Sequence, residues 1–257
     1  MATKATKATK AVSRNDLMQT MNRWLEPERF QDYCPNGLQV EGKSQVRHIV
    51  SGVTASQALI NEAIYVGADM ILVHHGYFWK GEDPRIQGMK RARIKALMDY
   101  DINLVAYHLP LDDHPEYGNN RQLAKILDIQ DAVPLDGLVW AGTLAKPLSP
   151  QAFAAHLQLC LDRAPLAVGT GPDLIKRVAW CTGAAQGYIT KALDAGVDAF
   201  ISGEISEPTT HTARECGIHY FAAGHHATER YGVKALGEAL ANEFGITHQF
   251  VDCDNPV

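Results

Sequence analysis

From Arg47 onward, short β-rich runs alternate with helical stretches, and this alternation limits what the chain can fold into more than any other feature. His48–Val53 reads as a strand, Ser56–Val66 as a helix with Leu59, Ile60, Ala63 and Ile64 on one face, and Asp69–His74 as a second strand. A helix at Met89–Tyr100, a strand at Ile102–Tyr107 and a helix at Asn120–Leu127 follow. The pattern resumes with strands at Arg177–Cys181, Ala199–Ser202, Ile218–Ala222 and His248–Val251, and helices at Gln186–Ala195, Pro208–Cys216 and Ala227–Glu243. Strands separated by helices of this length form βαβ units, so the predicted class is α/β with mostly parallel sheets.

The alternation contains a repeat. Val53–His75 laid over Thr182–Glu204, a shift of 129, matches without a gap at Ala55/Ala184, Gln57/Gln186, Ile60/Ile189, Ala63/Ala192, Gly67/Gly196 and Asp69/Asp198. Two related lobes are predicted, at 14–129 and 130–257, with the last elements able to pack back on the first lobe. The stretch 129–176 is less regular and carries Pro134, Pro147, Pro150 and Pro165 among its prolines. Residues 1–13 repeat Thr-Lys-Ala, hold little to bury and read as a disordered tail. A helix at Arg14–Leu25 follows, with Ser13 as its N-cap and Asp16 in a capping-box relation.

Composition narrows the partners. Twenty-four Lys and Arg against twenty-nine Asp and Glu give a net charge of −5, which disfavours nucleic acid and anionic membrane as partners. Apolar runs such as Met70–Val73 and Leu104–Ala106 fall far short of the ~20 residues a membrane helix needs. The five cysteines are scattered, without a Cys-x-x-Cys pair or a secretory apolar region before them. They read as reduced thiols of a cytoplasmic protein, neither disulfides nor thiolate metal ligands.

The eleven histidines include two adjacent pairs, and they gather where α/β proteins bind ligands, past the carboxyl ends of strands. Met70–Val73 runs into His74-His75-Gly76, Leu104–Tyr107 into His108-Leu109-Pro110-Leu111-Asp112, and Tyr220–Ala222 into Gly224-His225-His226-Ala227-Thr228-Glu229. A single strand-end histidine is commonly structural; three such ends together favour a metal site, placed at the strand ends between the lobes. Neighbouring strand residues point to opposite faces, so His74 and His75 suit different ions. His225 and Glu229 lie one helical turn apart on one face, with Glu229 the candidate bridge between two ions and Asp112 a terminal ligand. This donor set suits Zn, Fe, Mn, Co or Ni as two divalent ions, and paired ions favour hydrolysis. His108, His226 and Glu204, which replaces His75 in the repeat, are candidates for proton transfer or for orienting ligands.

Other signals are weaker. Tyr77-Phe78-Trp79 offers a surface for a planar substrate, and Lys80, Arg85, Lys90, Arg91 and Arg93 offer charge for phosphates. No Gly-x-Gly-x-x-Gly loop, Walker loop or Gly-x-Ser-x-Gly elbow is present.

Pro35-Asn36-Gly37-Leu38-Gln39-Val40-Glu41-Gly42, Val73-His74-His75-Gly76, His108-Leu109-Pro110-Leu111-Asp112 and Gly224-His225-His226-Ala227-Thr228-Glu229 closely resemble the family of dinuclear-metal-centre proteins named for the Ngg-interacting factor, in places called GTP cyclohydrolase I type 2. The resemblance runs from about Asp16 to Pro256. It implies metal ligands at His74, His75, Asp112, His225 and Glu229, with Glu229 shared, and a ring-shaped homohexamer built as a trimer of dimers with the metal pairs facing an inner cavity. It also implies a hydrolase that opens the ring of a purine nucleotide such as GTP, with metal-bound hydroxide attacking a ring carbon and formate released. The alternative expectation is a non-enzymatic metal-binding hexameric scaffold or regulator that grips nucleic acid or protein in its cavity.

Overall fold

The computed structural model describes residues 10–257. In chain order it contains β1 (Val12–Ser13), α1 (Arg14–Leu25), β2 (Gly37–Val40), β3 (Gln45–Val46), β4 (His48–Thr54), α2 (Gln57–Tyr65), β5 (Met70–His75), α3 (Gly88–Asp99), β6 (Asn103–Ala106), α4 (Leu109–Asp113) and α5 (Asn119–Ile126). It continues with β7 (Ile129–Asp136), β8 (Val139–Leu148), α6 (Pro150–Leu161), β9 (Leu166–Gly169), β10 (Ile175–Cys181), α7 (Ile189–Asp194), β11 (Ala199–Ser202), α8 (Glu207–Glu215), β12 (His219–Ala222), α9 (His225–Phe244) and β13 (Thr247–Phe250). The α/β class expected from the alternation is what the chain adopts. Among the described residues no helix is long and apolar enough to cross a membrane.

Contacts divide the chain into two compact units. One takes the chain up to Pro110 together with Val233–Cys253; the other takes Leu111–Gly232 with Asp254–Val257. The chain thus changes unit after Pro110, Gly232 and Cys253; the repeat predicts a boundary near 130 with the last elements able to pack back on the first lobe.

In the first unit a five-stranded sheet has the order β13-β4-β5-β6-β2. Its first four strands run parallel and β2 closes the edge antiparallel to β6. The centre of β4 and β5 is buried along its whole length, as strands covered on both faces must be. Val50, Ile71 and Leu104 pack with Leu59, Ile60 and Ala63 of α2 and with Ile94 and Leu97 of α3. Each such aliphatic side chain, fully buried, contributes roughly 1.5–3 kcal/mol.

The expected tail is shorter than thirteen residues. Residues 1–9 lie outside the described residues, but Val12–Ser13 pairs antiparallel with Gln45–Val46 and Val12 is buried. Val12 is the first branched side chain after the Thr-Lys-Ala run, and it supplies the apolar contact that the run lacks. Ser13 occupies the N-cap position of α1 without a side-chain hydrogen bond; the strand pairing sets its backbone, and the Arg14 N–H donates to the Ser44 carbonyl instead.

The second unit has a six-stranded sheet ordered β7-β8-β10-β11-β12-β9. Only its centre, β10-β11-β12, is parallel; β8, β7 and β9 add antiparallel strands on the two sides. The mostly parallel arrangement therefore holds for the first sheet and for the repeat-derived core of the second. One face packs Trp140, Phe153, Leu157, Trp180 and Phe221 together, and the other packs Ile189, Ala192, Phe200, Ala213 and Tyr220.

Candidate metal centre

In the first unit β4, β5 and β6 are parallel, so Thr54, His75 and Tyr107-His108 follow one another at a single carboxyl edge. The apolar run of β5 commits His74 to full burial, while His75, at the end of the strand, is half-buried. Their rings do not separate to opposite faces. The centroids are 4.5 Å apart, and the His108 ring lies 5.1 Å from His74 and 5.8 Å from His75. One donor nitrogen from each of the three rings falls within 4.8 Å of the others.

The His74 Nδ1–H donates to the Tyr107 carbonyl at 3.0 Å, which places the ring's lone pair on Nε2. His75 Nδ1 meets Thr54 Oγ1 at 3.3 Å. Gly76 leaves room for Gln39, because a Cβ there would lie 2.2 Å from Gln39 Oε1. Of the aromatic run, Tyr77 is core and donates its hydroxyl to the Ala55 carbonyl, while Trp79 stands 5.0 Å from the His108 ring and 5.9 Å from His75. Arg85 and Lys90 are paired with Asp83 and Glu82.

In the second unit the site residues come from strand ends and from helices. Asp112 sits on the short helix α4 rather than in a loop; it is buried, and its Oδ1 accepts hydrogen bonds from Asn119 Nδ2 at 2.9 Å and Thr182 Oγ1 at 3.3 Å. Both donors are neutral, so they orient the carboxylate without neutralising it. Glu229 is 3% exposed, and its Oε2 lies 3.1 Å from His225 Nε2, the i,i+4 pair read from the sequence. The other ring nitrogen, Nδ1, meets Glu204 Oε1 at 2.7 Å. Burial alone would depress the pKa of His225, but the two carboxylates outweigh it and raise the pKa to about 9. His226, next on the helix, is buried and donates its backbone N–H to the Val257 carbonyl.

Gly183 makes this arrangement possible. It follows β10 at φ +66°, and a Cβ there would lie 2.0 Å from Glu229 Oε1 and 3.1 Å from His225 Nε2. Thr228 Oγ1 accepts the Gly183 N–H at 3.1 Å and fixes the turn against α9. Burial and the charges of Asp112 and Glu229 push the Cys181 thiol well up, and burial with the charge of Asp32 pushes Cys34 to about 12. Burial thus favours the neutral thiol at both positions.

The donors fit divalent ions. Two ligands each about 2.1 Å from one ion stand roughly 3.0–3.4 Å apart, which brackets the 3.1 Å between His225 Nε2 and Glu229 Oε2. A ligating imidazole commonly has its second nitrogen held by a carboxylate or a carbonyl, as Glu204 holds His225 and Tyr107 holds His74. Sequence reasoning missed Asp32, Asn119, Thr182 and Gly183. Only Gly183 carried a signal, as a glycine two residues past a strand end that the repeat pairs with Thr54.

The comparisons with known proteins agree in kind. Residues 12–256 match the family model described as Duf34/NIF3 (NGG1p interacting factor 3). A Pseudomonas aeruginosa protein named GTP cyclohydrolase 1 type 2 homolog is 57% identical over 251 residues, covering 96% of this chain and 99% of its own. An Escherichia coli protein of the same name is 53% identical over 242 residues, covering 94% and 98%. Among solved structures, the protein ybgI, of unknown function, superposes with a TM-score of 0.94 at 52% identity over 96% of this chain and all of its own. A Thermus thermophilus protein gives 0.89 at 34% identity over the same shares. This chain belongs to the Duf34/NIF3 family.

Proposed function

We propose that this chain is a metal-dependent hydrolase that opens the ring of a purine nucleotide such as GTP, with two divalent ions held by His74, His75, Asp112, His225 and Glu229 and with Glu229 shared. The observation that carries the reading is the Glu204–His225–Glu229 chain of contacts, in which one imidazole nitrogen is anchored at 2.7 Å and the other faces a buried carboxylate oxygen at 3.1 Å. The naming of relatives as GTP cyclohydrolase 1 type 2 homologs supports the nucleotide part. When bound, a pair of divalent ions lowers the pKa of water and stabilises attacking and leaving oxygens.

The chain's own residues supply orientation and proton handling. Glu204 holds the proton on His225 Nδ1 and so turns Nε2 toward Glu229; the Tyr107 carbonyl does the same for His74. His108 stands beside both imidazoles of β5 and is the group we assign to proton transfer, with Trp79 packed against it to exclude water. His226 steadies the first turn of α9 through its bond to Val257. Protein loaded with zinc or manganese is expected to release formate from GTP, and His75→Ala and Glu229→Ala are expected not to. Parent and variants with equal rates overturn the reading.

The same reading includes assembly as a trimer of dimers. Exposed apolar side chains such as Tyr65, Met89 and Met98 support self-association. Sedimentation at the mass of one 28.2 kDa chain would exclude it.

A further inference from the structure

The Pro35–Gly42 motif carries none of the proposed ligands, yet its surroundings are tied to the strand ends. Asp32, three residues before it, has a side chain only 4% exposed. Four donors converge on its carboxylate. Oδ1 faces the Tyr33 N–H at 2.6 Å and His108 Nδ1 at 2.7 Å; Oδ2 accepts from Asn36 Nδ2 at 2.9 Å and from the Leu109 N–H at 3.0 Å. Asn36 completes the clamp, its Oδ1 accepting the His108 N–H at 2.8 Å. Asp32 therefore grips the ring, and the motif's Asn36 the backbone, of one histidine.

We propose that Asp32 is a positioning residue for His108, holding its imidazole as the Nδ1–H tautomer with the lone pair on Nε2, the ring edge away from Asp32. Burial would raise the Asp32 pKa, but hydrogen bonds from His108, Asn36 and the Tyr33 N–H bring it down to about 2. An ionised carboxylate only accepts, so the shared proton belongs to Nδ1. The carboxylate thus does for this ring what a buried aspartate does for the histidine of a serine hydrolase, where loss of the correct tautomer costs about 10⁴ in rate. Gln39 extends the clamp, bonding the Tyr77 N–H at 2.7 Å and the Tyr77 carbonyl at 3.2 Å, just past His74 and His75.

The inference rests on the preceding reading only in giving His108 a proton to carry. It is tested by long-range ¹⁵N–¹H correlation on the zinc-loaded full chain labelled at histidine, with His108 assigned through its loss in His108→Gln. The expected parent spectrum shows Nδ1 protonated and Nε2 bare, and Asp32→Ala reverses the two. A parent protonated at Nε2 overturns the inference, as does a folded Asp32→Ala with an unchanged tautomer; should that variant not fold, the parent spectrum alone decides. On GTP, Asp32→Ala is expected to lower kcat about tenfold or more with little change in KM. The tautomer is read without turnover. Absence of formate release therefore overturns the proposed function and not the positioning, whereas an Nε2–H parent overturns the positioning even where GTP is opened.

Discussion

The two units are built on the same frame and finished differently. Asp69 and Asp198, equivalent in the repeat, hold the same bonds. Asp69 Oδ2 accepts the N–H groups of Arg47 and His48 at 2.8 and 3.2 Å; Asp198 Oδ2 accepts those of Lys176 and Arg177, both at 2.8 Å. Their own N–H groups donate to the carbonyls of His48 and Arg177, and their carbonyls accept from Asn103 and His219. Every partner is displaced by 129 residues except the last pair, where the preceding helices differ in length. At the carboxyl ends the units part. The first has Thr54, His74 and His75 where the second has Gly183, Gly203 and Glu204. In the first unit the imidazoles of His74 and His75 come from the strand itself. In the second, imidazoles come from the helix that follows β12, and Gly183 clears the space they need.

The difference predicts unequal effects at equivalent positions, the largest at Gly183. Gly183→Ala forces Glu229 aside and is expected to weaken zinc binding by more than ~100-fold, whereas Thr54→Ala removes one contact to His75 and costs only a few-fold; calorimetric titration with zinc measures both. Equal losses would mean that the two turns play the same part. His75→Ala should likewise exceed ~100-fold, while Glu204→Gln, at the matching place, should cost about 10–100-fold because it removes an orienting partner. A Glu204 variant as damaged as His75→Ala would make Glu204 a ligand.

The shared frame can be tested through stability. Asp69→Ala, at a buried position, orphans two N–H groups and should cost about 2–3 kcal/mol in urea unfolding. Asp198→Ala, at a more exposed copy, should cost about 1–2 kcal/mol. Reversal of that order would break the equivalence.

The smallest effect concerns His248 on β13, which meets Ser51 Oγ at 2.7 Å. Burial, with the nearby His48 and Lys234, lowers its pKa from 6.5 to about 4. The unfolded chain therefore binds the proton first, so stability is lost as pH falls from about 6.5 to 4 and is fully present above that window. With solvent screening discounted, the loss is of order 1 kcal/mol. Hydrogen exchange at pH 5 should show the first unit loosening before the second, and His248→Gln should remove that difference.

Much of this frame was legible because parallel strands buried on both faces must be written as apolar runs, and β4, β5, β10, β11 and β12 are. β7 was not legible: six of its eight residues are exposed, so it carries no apolar period, and Pro134 within it argued against a strand. α6 was missed although Ser149 and Pro150 mark its start, with Ser149 Oγ accepting the Ala152 N–H. The strand-end imidazoles and the i,i+4 pair His225–Glu229 were legible because strand ends and helix spacing are local. Asp32 was not, since its partner lies 76 residues away and nothing near it has a period.

Asp69 and Asp198 tie down the amino ends of their strands, and every donor discussed for metal lies at or past the carboxyl ends. Fastening and chemistry are thus assigned to opposite rims of each sheet. Tips can exchange imidazole for glycine or glutamate, as the two halves of this chain have done, while the architecture survives the swap. A lineage carrying such a frame is free to change its reaction without first relearning how to fold.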